Sequence, residues 1–261
     1  MLGHLKRLAE YRDLLFTMTV RDIQVRYKQT LLGIAWAVAQ PLAFMVVLTV
    51  LKSSILKEST SEGTPHQVFL YCAMVPWMFF QSSLTAATTS VSGNMGLVSK
   101  IYFPREIFPA AAIFACVVDF LIAATIFGGM MAFYHIPFTA GLLWIPILFG
   151  IELMFVLGMG FFLAAANVFY RDVKYIVPLA LQLLLFASPV IYSIRQVPKQ
   201  LRGWYALNPM TVVIDGFRQA ILHGAAPNYQ QLAMSFGVAA LCCTLAYWYF
   251  KRSEGKFADL I

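Results

Sequence analysis

Charged side chains make up only 12% of the 261 residues, about half of the roughly 25% typical of a soluble domain. A chain so poor in charge cannot cover a water-facing surface, and with 60% hydrophobic residues it is neither a disordered chain nor a coiled coil. Cysteine is scarce too. Cys72, Cys116, Cys242 and Cys243 all lie in apolar stretches without a C-x-x-C pair, which excludes a disulfide scaffold and argues against a zinc site. They read as small buried side chains. The histidines His4, His66, His135 and His223 fall in four separate segments, without an H-E-x-x-H or similar metal spacing. There is no G-x-x-x-x-G-K-[ST] loop to cradle nucleotide phosphates and no G-x-S-x-G nucleophile elbow. The expectation is therefore a non-enzyme with no cofactor or metal in the chain. Any uphill work must draw on a partner or on an ion gradient.

Lipid is the solvent that suits this composition, and an all-α integral membrane protein is the fold class it predicts. Six apolar runs are long enough to cross about 30 Å of hydrocarbon at roughly 1.5 Å per residue. They cover 31–51, 67–92, 107–133, 142–170, 176–194 and 229–250. The second is the most polar, because Gln81, Ser82, Ser83, Thr85, Thr88, Thr89 and Ser90 crowd its later half. Such a face belongs against other helices or a wet cavity. Ahead of the spans, Leu5, Leu8, Leu15 and Met18 recur at helical spacing among Lys6, Arg7 and Arg12. Residues 1–30 read as an amphipathic interface helix, or as a plain basic lead-in. They hold no long apolar run, so no cleavable signal peptide is expected.

The net charge of +7 does not point to nucleic acid, because the basic residues flank the apolar runs instead of gathering on one face. Thirteen of the 19 Lys and Arg would lie inside if both termini are cytoplasmic: Lys6, Arg7, Arg12, Arg21, Arg26, Lys28, Lys100, Arg105, Arg171, Lys174, Lys251, Arg252 and Lys256. Six would lie outside: Lys52, Lys57, Arg195, Lys199, Arg202 and Arg218. That bias predicts cytoplasmic termini. Segment 195–228 is too polar to span, yet Trp204, Tyr205, Leu207, Val212, Val213, Ile214, Phe217 and Ile221 are too apolar for a free loop. Asn208-Pro209 is a helix-start signal. Short re-entrant helices before the last span, or an ordered outer cap, would both account for it.

Asp119 and Glu152 are the acidic residues inside the spans, and intramembrane charge is a functional candidate. Ion coupling and a structural hydrogen bond are both open to them. Trp36 lies about 7.5 Å into the first span and Trp77 about 15 Å into the second. Trp36, Tyr71, Trp77 and Phe80 could offer rings around a translocation path, or pack against helices or lipid. Of these, the Trp77 and Phe80 spacing of three requires a shared helix face. Between spans two and three, Gly93-Asn94 ends a helix and Lys100, Ile101, Tyr102, Phe103, Pro104, Arg105 and Glu106 follow. This elbow reads as a docking knob for a soluble partner, although interfacial aromatics also occur in ordinary membrane loops.

These segments, taken in order, resemble a known family. The run Arg21-Asp22-Ile23-Gln24-Val25-Arg26-Tyr27-Lys28-Gln29-Thr30-Leu31-Leu32-Gly33 is similar to the opening of ABC-2 type permeases that export polysaccharides. So are Val75-Pro76-Trp77-Met78-Phe79-Phe80, the 100–106 elbow, Tyr170-Arg171-Asp172-Val173, Ser188-Pro189-Val190-Ile191-Tyr192, Asn208-Pro209-Met210 and Phe257-Ala258-Asp259. The nearest likeness is to O-antigen (Wzm-type) exporters. Capsule and wall-teichoic-acid exporters share much of the pattern.

The resemblance implies one transmembrane domain over 1–261, with an interface helix (1–30), a six-helix bundle (31–250), an outer re-entrant gate (195–228) and a cytoplasmic tail (251–261). It implies a homodimer in the bacterial inner (cytoplasmic) membrane, working with two ABC ATPase subunits that bind ATP and Mg, and moving undecaprenyl-diphosphate-linked polysaccharide. The ATPase would be met by 1–30 and by Lys100–Glu106. The gate would be built around Pro189, Tyr192, Trp204, Asn208 and Pro209. Export of a drug or small lipid, or a gradient-driven secondary carrier using Asp119 or Glu152, are the competing readings. A membrane glycosyltransferase would need paired carboxylates or a metal motif, which the sequence lacks.

Overall fold

Helix is the structure this sequence favours, because an apolar chain outside water must satisfy its own backbone donors and acceptors. The computed structural model describes residues 11–28, 35–51, 65–98, 104–198 and 200–258, and no strand occurs among them. Helix α1 (Arg12–Tyr27) is followed by α2 (Trp36–Leu51) and α3 (His66–Ser90). A 3₁₀ turn, Ser92–Asn94, leads into the short α4 (Met95–Val98), and then α5 (Ile107–Phe133). A second 3₁₀ turn, Ala140–Trp144, opens α6 (Ile145–Phe169), and α7 (Val173–Ala187) follows. After a 3₁₀ turn at Ile194–Gln196 come α8 (Arg202–Ala206), α9 (Pro209–Leu222) and α10 (Tyr229–Glu254). The 3₁₀ turn Gly255–Ala258 closes the described chain.

Among the described residues, four segments are long and apolar enough to cross a membrane: His66–Ser90, Ile107–Phe133, Ala140–Phe169 and Tyr229–Phe257. Two shorter apolar helices, Val38–Leu51 and Val173–Ala187, occupy the places of the first and fifth expected spans. Residues 31–34, where the first span was expected to begin, lie outside the described residues. The fifth departs from expectation: α7 stops at Ala187, short of 194, with Ser188 extended (φ −104°, ψ 151°). Pro189 explains the stop, because a proline bars its predecessor from helical geometry and brings no N–H of its own. At the other signals, Asn208 Oδ1 accepts from Met210 N at 3.1 Å, and Asn228 caps α10 through Gln230 N and Gln231 N.

Helix α3 is the axis of the bundle. Of its most apolar window 78% is buried, against 11% for that of α10, which runs along the outside. Around α3 pack α5, α6, α7 and α9. Phe79 meets Phe120 and Phe149, Phe80 stacks on Phe155, and Tyr71 stacks on Phe127. Lipid tails are as apolar as these rings, so close van der Waals fit rather than water exclusion holds the helices together. A second cluster gathers Val91, Ile107, Phe108, Phe161, Phe250 and Phe257, with Leu14, Leu15 and Met18 of α1 against it. We call that end of the bundle, which also carries the closing residues, the lower end, and the opposite one the upper end.

Helices α6 and α10 approach closely at Gly158. A Cβ on Gly158 would fall 2.7 Å from Cys243 Cα and 2.9 Å from its N, atoms that cannot swing aside. Gly158→Ala should force the helices apart at a cost of about 1–3 kcal/mol, read as a lower thermal midpoint of the detergent-solubilised protein. Gly128→Ala, with nothing within 4 Å of the new methyl, should leave the midpoint near that of the parent.

Candidate functional site: a polar cavity beside the central helix

Polar side chains on α3 divide between two faces. Thr88 and Ser90 are buried and hydrogen-bond back to their own helix, at Leu84 O (2.6 Å) and Ala87 O (2.7 Å). This back-bonding satisfies a hydroxyl without any neighbour. Gln81, Ser82, Thr85 and Thr89 face a cavity of about 570 Å³, the three hydroxyls also bonding back to carbonyls of their own helix. Its other walls are Trp36, Gln40 and Pro41 of α2, Arg26 and Tyr27 of α1, and Asp119, Phe120 and Ala123 of α5. The cavity thus presents amides, hydroxyls and one charged pair inside a mostly apolar bundle.

The charged pair closes one wall. Arg26 and Tyr27 both donate to Asp119, and Arg26 Nη2 also reaches Cys116 Sγ at 3.3 Å. Burial first, and the bond to Asp119 second, push the Tyr27 phenol well above its ordinary pKa, so it stays a donor. Asp119 is therefore held in a structural ion pair that ties α1 to α5. The sequence shows Arg26 as one of the basic residues expected in the cytoplasm and as part of the opening run, and no local signal marks a partner 93 positions away. Glu152 differs. It is fully buried in α6, and neither carboxylate oxygen has a hydrogen-bond partner among the described residues.

The four aromatic candidates part company. Trp36 is 54% exposed and lines the cavity. Tyr71, Trp77 and Phe80 are buried in the core of the chain. Trp77 and Phe80 do share a face, with ring centroids 5.4 Å apart. Trp77 touches the cavity indirectly: its Nε1 donates to Gln81 Oε1 at 3.2 Å and holds that amide at the wall.

At the lower end, Lys100, Ile101, Tyr102 and Phe103 lie outside the described residues. The elbow residues that follow are bound to the last helix. Glu106 is buried and accepts from Lys251 Nζ at 2.6 Å and from Tyr247 Oη at 3.4 Å. Lys251 also bonds Glu254 (2.8 Å), whose carboxylate accepts from Arg105 N (3.1 Å). The Arg105 guanidinium donates to the Glu254 carbonyl and lies over the Phe257 ring. Asn167 joins in from α6, donating to Ser92 Oγ (2.9 Å) and accepting from Lys174 N (3.1 Å).

At the upper end, Asn208 Nδ2 donates to Ser188 Oγ at 3.3 Å, beside Pro189 and Pro209. The Tyr192 and Tyr205 hydroxyls lie 3.0 Å apart. Burial, then this pairing, raises the Tyr192 pKa. Trp204 is 73% exposed. Among the described residues no three His, Cys, Asp or Glu side chains group as a metal site.

The Arg26–Asp119 pair is partly buried, with side-chain exposures of 31% and 18%. Asp119→Asn should destabilise the protein by about 1–3 kcal/mol, between the values for surface and buried pairs. In thermal unfolding, Arg26→Met combined with Asp119→Asn should cost less than the sum of the two single changes, because the double variant leaves no charge stranded.

The ABC-2 type transporter family matches residues 13–222. An O-antigen export system permease protein RfbA of Klebsiella pneumoniae is 25% identical over 250 residues, 95% of each chain. One of Myxococcus xanthus is 25% identical over 264 residues, covering both chains completely. The polysialic acid transport protein KpsM of Escherichia coli is 22% identical over 213 residues, 78% of this chain and 80% of KpsM. The family match takes in α1, the polar face of α3, Asp119 and the upper segment through α9, and on that extent this chain belongs to the ABC-2 type transporter family.

Proposed function

We propose that this chain is the membrane-spanning half of an ATP-driven exporter of lipid-linked polysaccharide of the O-antigen class. The observation that carries the reading is the cavity: Trp36 and the Gln81–Thr89 face of α3 present a polar, ring-bearing wall inside a bundle otherwise built for lipid. Sugars offer apolar C–H faces to a ring and hydroxyls to amides and hydroxyls. A wall of that mixed kind gives many weak contacts along which a polymer can slide. The relatives named above, two of them O-antigen export permeases and one a polysialic acid transport protein, favour this substrate class over a drug. Capsule and teichoic-acid polymers share the same contact chemistry.

In this reading α2 and α7 also cross the membrane, the bilayer thinning locally around these short helices, which makes six with both termini in the cytoplasm of a bacterial inner-membrane protein. One six-helix bundle can hardly enclose a glycan, so two copies share the path. Two separate ABC ATPases supply ATP and Mg, docking on 1–30 and on the elbow at 100–106. The carrier of the glycan is undecaprenyl diphosphate. Tyr71, Trp77 and Phe80 serve the path from behind, Trp77 by aiming Gln81. The ion pair that occupies Asp119 weighs against its use as a proton relay in a gradient-driven carrier.

Trp36→Ala should lower polymer export about two- to tenfold, the worth of one aromatic contact, with membrane level and ATPase activity of the complex unchanged. Surface polymer measured at matched protein level reads this directly, and normal export would remove the stacking role. The complex isolated from membranes should contain one ATPase per permease by mass. A permease exporting polymer as a lone chain would overturn the ATP-driven reading.

A further inference from the structure

The break after α7 poses a hydrogen-bonding problem. Because α7 stops at Ala187, the carbonyls of Pro189, Val190 and Tyr192 point away from any helix of their own. Inside a bundle each would cost roughly 1–3 kcal/mol if left without a donor. One side chain serves all three. Arg218 of α9 donates from Nη1 to Pro189 O (2.6 Å) and Tyr192 O (3.0 Å), and from Nη2 to Val190 O (2.6 Å). Its guanidinium also lies over the ring of Phe69, in the first turn of α3, 3.7 Å from the centroid. By charge pattern Arg218 reads as an outer loop cation, but it is only 3% exposed.

Arg218 thus binds three elements at one point: the turn after α7, helix α9, and the upper end of the central helix. A planar fork with several donors can reach divergent carbonyls, which a lysine ammonium does less well. Helix α9 has 14 residues, eleven of them buried. At about 1.5 Å per residue it spans roughly 21 Å, short of the bilayer core. It is seated within the upper half of the bundle like a stopper. Weaker ties accompany the clamp, namely Asn208 on Ser188 and Tyr192 on Tyr205.

We propose that Arg218 is the clamp that keeps the turn at 189–192 and helix α9 seated as a seal across the upper end of the transport path. It is a positioning residue: it touches no substrate, and it acts by holding the turn at 189–192 against α9 and α3. The inference rests on the reading that this chain borders such a path. Opening for a polymer would require the carbonyl cup to let go of the guanidinium, so the strength of this grip sets how tightly the resting protein excludes small solutes.

The test is a leak measurement. The full chain, with its partner ATPase, is reconstituted into vesicles loaded with an iodide-quenched dye and read without ATP and without polymer. Parent vesicles should stay tight. Arg218→Met should admit iodide roughly tenfold faster or more, the scale of one lost hydrogen bond to a charged group. Arg218→Lys should fall between, and Tyr205→Phe should give a smaller leak. Thermal midpoints measured beside the fluxes separate a clamp from a fold prop: Arg218→Lys should leak while melting close to the parent. Tight vesicles from both Arg218→Met and Arg218→Lys would overturn the proposal. Should Arg218→Met not accumulate in membranes, tight vesicles from Arg218→Lys and Tyr205→Phe together would overturn it. The flux needs neither ATP nor polymer, so failure of the export reading, seen as normal surface polymer without this chain, is distinguishable from failure of the clamp.

Discussion

Lipid offers a protein no hydrogen-bond partners, and that constraint shapes each polar contact described above. A charged group brought into such surroundings must be met by another part of the same molecule or, like a buried carboxyl without a partner, give up its charge, and the partner is seldom near in sequence. Asp119 is met by Arg26 and Tyr27 from the first helix. Glu106 is met by Lys251 from the last helix. The carbonyls that Pro189 strands are met by Arg218. Each contact joins segments that packing alone would leave free to slide past one another, because apolar helix faces in lipid specify little about register.

Polarity in the central helix follows from the same constraint. The later half of α3 contains more hydroxyls than one cavity can use, and the helix divides them by face. Thr88 and Ser90, turned inward, close on carbonyls a turn back, and Ser82, Thr85 and Thr89 do the same on the cavity side, where their lone pairs remain open to a ligand. The consequence for transport is a wall whose polar groups stand on a rigid, deeply packed element. Trp77, fully buried, reaches that wall through a single hydrogen bond to Gln81. In the proposed export role, a buried aromatic thereby bears on a passing sugar without touching it.

The two ends of the bundle are built differently. At the lower end, the base of the elbow is fastened to the closing helix by the Arg105, Glu106, Lys251 and Glu254 contacts. A push on the elbow from a soluble partner would reach α10, and through α10's close seating against Gly158 it would reach α6. At the upper end, the fastening is by one arginine to neutral carbonyls and by hydroxyl and amide contacts. Ion pairs below and dipole contacts above would suit the proposed roles, an elbow that transmits force and a seal that releases.

The sequence by itself determined the helical membrane class, because charge content and apolar run length are sums over residues and need no coordinates. It also determined the helix punctuation at Asn208-Pro209, since caps and prolines act within a few positions. The third expected span, 107–133, has the bounds of α5, and the polar face of α3 was legible from composition alone. The end of α7 was present in the sequence at Pro189 but was hidden by the apolar residues after it. Only the tertiary structure decided which aromatic rings are core and which are wall, because burial depends on the neighbouring helices and not on the ring. It alone decided that Arg218 lies inside and that Arg105 and Glu106 are engaged within the chain. Those outcomes depend on pairings across 26 to 149 positions, a range over which local pattern has no reach.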